Sequence, residues 1–76
     1  MTRIVVTGGA GRLGRSLVAG LADAGHEIVS LDREVSDAVE LTSRDAITQT
    51  AVDLADASAA SAAMVDARAD AVVHLA

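Results

Sequence analysis

Four of the chain's six glycines fall between Gly8 and Gly14, directly after the β-branched run Ile4-Val5-Val6. Such a run reads as a short buried strand. Glycines clustered at its end call for a turn in which absent side chains permit unusual dihedrals and close backbone packing. From Arg12 the period changes: Leu13, Leu17 and Leu21, with Val18 alongside, share one helical face up to Ala24, and Gly25 stands where a left-handed cap is expected. Two registers fit the glycines. Gly9, Gly11 and Gly14 match G-x-G-x-x-G, while Gly8, Gly11 and Gly14 match G-x-x-G-x-x-G.

The rest of the chain repeats this alternation. Glu27 to Leu31 is a second short apolar run, ending in Asp32. Arg33 to Asp45 is a mixed polar connection with a faint helical hint at Val35, Val39 and Leu41. Ala46 to Val52 reads as a third strand ending in Asp53-Leu54, and Asp56 is placed to cap an alanine-rich helix with a small face of Ala59, Ala60, Ala63, Met64 and Ala67. Ala71 to Leu75 is a fourth apolar run. Alternating β and α units predict an α/β fold, a partial doubly wound sheet of parallel strands in the order 3-2-1-4 with flanking helices and right-handed crossovers. Ligands of such sheets bind outside the carboxyl ends of the strands.

Composition narrows the class. At 76 residues the chain is one domain at most, below the usual size of a complete nucleotide-dependent enzyme. Hydrophobic residues make up 51%, but much of this is alanine and there is no Phe, Trp or Tyr, so the expected core is thin. Conformational entropy, roughly 1.5 kcal/mol per ordered residue, nearly cancels burial in a piece this short, and marginal stability is expected. The net charge of -5 and six scattered arginines argue against nucleic-acid binding. Absence of cysteine fits a cytoplasmic protein, and the opening residues show neither a signal-peptide pattern nor a membrane span.

The candidate site residues all sit at predicted strand ends. The loop from Gly8 to Gly14 is expected, in either glycine register, to hold a pyrophosphate against free N–H groups at the positive end of the first helix. Arg12 and Leu13 would act chiefly through their backbone. Asp32 can accept hydrogen bonds from both hydroxyls of an adenosine ribose, which favours NAD over NADP, whereas Arg33 beside it keeps a 2′-phosphate admissible. Asp53 and Leu54 suit an adenine ring, although an aspartate before a helix also serves as part of a cap. Leu75 and Ala76 would flank the far ribose through backbone and shape. His74 is read as a hydrogen-bonded structural residue of an apolar strand and His26 as a surface residue; no catalytic or metal-binding residue is assigned.

Thr7-Gly8-x-x-Gly11-x-x-Gly14, the acid Asp32, the pair Asp53-Leu54 and the closing Val72-Val73-His74-Leu75-Ala76 together resemble the extended short-chain dehydrogenase/reductases, the NAD-dependent epimerase/dehydratase family. The resemblance spans the chain and implies the amino-terminal part of a Rossmann domain, incomplete over residues 1–76. It implies that Gly8, Gly11, Arg12, Leu13 and Gly14 surround the pyrophosphate. It implies NAD as cofactor and, in a full-length parent, a sugar or sugar nucleotide as substrate of an epimerase, dehydratase or dehydrogenase. That family's catalytic pair is Tyr-x-x-x-Lys, and the chain contains neither residue, so the piece alone is expected to be inactive. A non-catalytic NAD(P)-binding or sensing module is the alternative, and a flavin- or S-adenosylmethionine-binding domain a third. A fourth strand left at the sheet edge is expected to promote self-association.

Overall fold

The computed structural model describes residues 2–75. Strand β1 (Arg3–Thr7) pairs in parallel with β2 (Glu27–Asp32) on one side and with β4 (Ala71–His74) on the other, and β3 (Ile47–Ala51) completes the sheet beyond β2. The order is β3-β2-β1-β4, as the βα alternation predicts. Helices α1 (Arg12–Asp23), α2 (Val39–Thr42) and α3 (Ala57–Ala67) form the connections. In register, Thr7 lies opposite Leu31 and His74, so the carboxyl ends of β1, β2 and β4 are level.

The two-residue period of β1 divides the core between the faces of the sheet. Ile4 and Val6 pack with Val18 of α1, Ile28 and Leu41 of α2; Val5 packs on the opposite face with Leu31 and Ala67 of α3. Helices on both faces explain why the strands read as continuous apolar runs. The α3 face expected from sequence is the inner one: Ala59, Ala60, Ala63 and Met64 are half-buried and Ala67 is buried, while Val65 points outward.

Helix ends follow local chemistry. Asp56 accepts a hydrogen bond from the Ala59 N–H at 3.1 Å as the N-cap of α3. At the end of α1, Gly25 has φ 99° and its N–H donates to the Ala22 carbonyl at 3.0 Å, while the His26 N–H reaches the Leu21 carbonyl at 3.2 Å. These two bonds form a Schellman closure, which only a left-handed residue completes without strain. Asp23 would place a negative charge at the negative end of that helix, but Arg44 forks onto it with bonds of 2.8 and 3.0 Å. Hydrogen bonding to Arg44 holds the Asp23 carboxyl below its ordinary pKa.

Three expectations are corrected. Leu13 is 74% exposed rather than packed, because in the first turn of α1 it is Gly14 that is buried against the Gly8–Gly9 backbone. In the connection after β2, Val35 and Val39 are also exposed and Leu41 alone is buried, so the helical hint corresponds to the single short turn α2. His26 is half-buried rather than fully at the surface, its backbone tied to the Leu21 carbonyl by the closure of α1. No helix among the described residues is long and apolar enough to cross a membrane.

These positions separate by mutation in the full-length protein. Leu41→Ala removes a fully buried side chain and is expected to cost about 2–4 kcal/mol, whereas Leu13→Ala should stay within about 0.5 kcal/mol. Urea unfolding followed by circular dichroism reads both; equal losses would contradict the packing described.

Candidate functional site

The end of β1 is joined to α1 by four residues whose shapes are dictated by packing. The Gly8 N–H donates to the Leu31 carbonyl at 2.8 Å, extending the ladder by one bond, and Gly8 then turns with φ 78°, in the left-handed region. A Cβ on Gly9 would collide with the Ser30 hydroxyl and come within 3.2 Å of Val18. A Cβ on Gly14 would collide with the Gly8 carbonyl and lie 2.8 Å from the Gly9 Cα. Gly8, Gly9 and Gly14 are therefore required by the protein itself, for backbone conformation or for seating α1 on β1.

Gly11 differs. It is the N-cap of α1 in ordinary extended conformation, and a Cβ there would meet nothing nearer than the Gly8 carbonyl at 3.9 Å. No side chain caps the helix, and its first bond runs from the Arg15 N–H to the Gly11 carbonyl at 2.8 Å. The N–H groups of Arg12, Leu13 and Gly14 precede that bond and stand outside the helical ladder. Gly11 and Ala10 line a cavity of about 570 Å³ whose other walls are Asp32, Arg33 and Glu34.

Asp32 ends β2 directly across this cavity. Its Oδ2 accepts from the Ala10 N–H at 3.1 Å and its Oδ1 from the Arg33 N–H at 2.7 Å. Asp32 and Arg33 also border a second cavity, about 350 Å³, with Asp53, Leu54 and Ala55. The two cavities thus form one crevice over the carboxyl ends of β1, β2 and β3, meeting at Asp32. Leu54 is half-buried against the apolar cluster on the α3 face. The Asp53 carboxylate accepts from the Ala55 N–H at 2.9 Å and its carbonyl from the Asp56 N–H at 3.0 Å, so it shapes the turn that leads into the cap of α3.

A third wall comes from the segment after β2. Ala10, Glu34, Val35, Ser36 and Asp37 enclose about 410 Å³. Gln49 of β3 fixes this segment by a two-way amide exchange: its Nε2 donates to the Ser36 carbonyl at 2.8 Å and its Oε1 accepts from the Ser36 N–H at 2.9 Å.

On the far side of β1, the exposed His74 shares a hydrogen bond through Nδ1 with the buried Thr7 hydroxyl. The Leu75 N–H donates to the Thr7 carbonyl at 2.9 Å, which holds the end of β4 beside the glycine turn. Ala76 lies outside the described residues. Arg12 is exposed at the mouth of the turn. Of the residues expected at the site, Gly11, Asp32, Arg33, Asp53 and Leu54 line the crevice, whereas Gly8 and Gly14 stand behind it in the turn that seats α1. Ala10, Glu34 and Gln49 escaped sequence reasoning. Ala10 acts through its N–H, which no side-chain pattern reveals, and the other two depend on how a polar connection folds back.

Residues 4–76 match the NAD dependent epimerase/dehydratase family. The chain belongs to that family. This epimerase/dehydratase-family chain is 45% identical to an uncharacterized protein of Mycobacterium tuberculosis over 74 residues, 97% of the chain and 8% of that protein's length. Among solved structures, the Bordetella bronchiseptica enzyme WbmG in complex with NAD superposes with a TM-score of 0.84 at 30% identity, covering 99% of this chain and 24% of that one. A UDP-glucose-4-epimerase from Stenotrophomonas maltophila, with bound NAD and formylated UDP-arabinopyranose, gives 0.81 at 31% identity, covering 100% and 24%. The chain therefore spans under a tenth of the mycobacterial relative and about a quarter of each solved enzyme. The likeness covers every strand and helix described above, and the fold is the Rossmann-like portion of this family.

The glycines make a prediction that separates architecture from ligand. Gly14→Ala should destabilise the full-length protein by at least about 2 kcal/mol, because the added carbon meets backbone that cannot move aside. Gly11→Ala should leave the thermal midpoint within about 2 °C of the parent. Differential scanning fluorimetry distinguishes the two, and an unchanged midpoint for Gly14→Ala would refute the packing.

Proposed function

We propose that this chain is the amino-terminal, dinucleotide-binding part of a larger enzyme and that the crevice holds NAD. The observation that carries the reading is the cavity between the uncapped start of α1 and the carboxylate of Asp32. Its residues fit such a ligand. N–H groups at a helix start favour a diphosphate, and Gly11 leaves room for close approach. A carboxylate within the same cavity can accept from a ribose diol while repelling a phosphate on it. Gly8, Gly11, Arg12, Leu13 and Gly14 would surround the diphosphate, Asp32 and Arg33 the adenosine ribose, Asp53 and Leu54 the adenine, and Leu75 and Ala76 the far ribose. The Asp53 carboxylate accepts from the Ala55 N–H and keeps further acceptor sites for an adenine amino group, beside the flank of Leu54.

NAD would supply a hydride acceptor. The residues of this chain bind and orient it, and the Thr7–His74 hydrogen bond ties the end of β4 to the end of β1 beside the glycine turn. The proton-moving tyrosine and its lysine belong to the remainder of the protein, since the chain contains neither. By likeness to enzymes holding NAD with UDP or a UDP sugar, the parent acts on a sugar or sugar nucleotide as an epimerase, dehydratase or dehydrogenase. The chain's lack of tyrosine and lysine also leaves a binding or sensing module as a second reading. Absence of cysteine and a soluble dinucleotide ligand fit action in the cytoplasm.

Titration calorimetry on the full-length protein tests this reading. NAD should bind about tenfold or more tightly than NADP, and Asp32→Ala should weaken NAD by about tenfold while weakening NADP less. Equal losses for both would remove the ribose assignment. A further expectation concerns the sheet edge. In residues 1–76 alone, β4 presents an unpaired ladder with Val72 54% exposed. The isolated chain should associate with itself, and a monodisperse monomer in light scattering at high concentration would oppose this.

A further inference from the structure

The turn between β1 and α1 has few attachments. After the Gly8 N–H, which donates to Leu31 at 2.8 Å, the next hydrogen bond is the one from the Ala10 N–H to Asp32 Oδ2 at 3.1 Å, and α1 then begins without a side-chain cap. The carboxylate of Asp32 is thus the side chain that ties the loop across the crevice to β2. It is itself oriented, because Oδ1 accepts from the Arg33 N–H at 2.7 Å. We infer that Asp32 is a positioning residue for the diphosphate turn as well as a reader of the ribose: through Ala10 it holds the loop in the shape that a diphosphate requires.

The inference rests on the dinucleotide reading and adds to it a role for one residue. The two tasks do not compete for acceptor capacity. An ionised carboxylate offers about four lone-pair sites, and the two backbone N–H groups occupy one on each oxygen, leaving one on each for a vicinal diol. Geometry makes the tasks interdependent. Asp32, whose Oδ2 accepts from Ala10, lines the same cavity as Ala10 and Gly11, so the ribose end and the diphosphate end of the site share one group. A loop preformed in this way saves the ordering cost that a mobile loop meets on binding.

A ligand without ribose hydroxyls isolates the second role. In the full-length protein, the probe is 2′,3′-dideoxyadenosine diphosphate, with adenosine diphosphate as its hydroxylated counterpart. Asp32→Asn and Asp32→Ala both remove the negative charge, so any electrostatic relief of phosphate binding is common to them, but only asparagine keeps an oxygen for the Ala10 N–H. The dideoxy ligand is expected to bind Asp32→Asn about fivefold more tightly than Asp32→Ala. Hydrogen exchange across residues 8–14 should accelerate in Asp32→Ala while peptides covering β1 and β2 stay unchanged, which separates a loosened loop from an unfolded protein. Equal dideoxy affinities in the two variants, or unchanged exchange across the loop, would overturn the positioning role while a selective loss of adenosine diphosphate left the ribose assignment standing. If the wild type bound neither adenosine diphosphate nor NAD, both readings would fall.

Discussion

Parallel pairing of β1 with β2 governs what this chain can do. With Thr7 level with Leu31, the glycine turn and Asp32 emerge side by side at the same edge of the sheet, and a single hydrogen bond from Ala10 spans the gap between them. A one-residue slip would invert every side chain in β2. Ile28, buried with Ile4 and Val6, would exchange faces with Val29, and Ser30 would leave the position that excludes a side chain from Gly9. Core packing and site geometry are therefore fixed by the same register, and neither can vary without the other.

The two longer helices begin in different ways. α3 opens with its own acceptor, Asp56 onto the Ala59 N–H, and is thereby complete. α1 opens on Gly11, which has no side chain to give, and leaves its leading N–H groups outside the ladder. An uncapped start commonly costs about 1 kcal/mol relative to a capped one. In α1 that cost is accepted at the one place where Gly8, Gly9 and Gly14 have already been forced by packing to bring backbone near the mouth of a cavity.

Much of this was legible from residue order alone, for identifiable reasons. β-branched runs, the cap at Asp56 and the left-handed Gly25 are local signals whose causes lie within a few residues, and all three appear where expected. Asp32 could be placed opposite the glycine loop because parallel βα topology leaves one edge for both. Leu13 could not be placed, since periodicity assigns a stripe to a helix but does not say that Gly14 is the first-turn residue seated against the strand end. The same holds for Val35 and Val39, whose spacing mimicked a helix that shrank to Val39–Thr42. The need for glycine at position 9 arises from Ser30, a contact between elements that the spacing of glycines does not encode. Ala10 was invisible because its contribution is an N–H that every residue but proline carries.

The paired amide bonds between Gln49 and Ser36 bear on how such a crevice can evolve. They fasten the wall after β2 to the neighbouring strand, so that its backbone is not free to swing outward around a bulkier ligand. Any change in what the crevice accommodates would then come from exchanging side chains at positions 33 and 34, over a stationary main chain. A wall anchored in this manner lets recognition drift by point substitution while the scaffold beneath it keeps its shape.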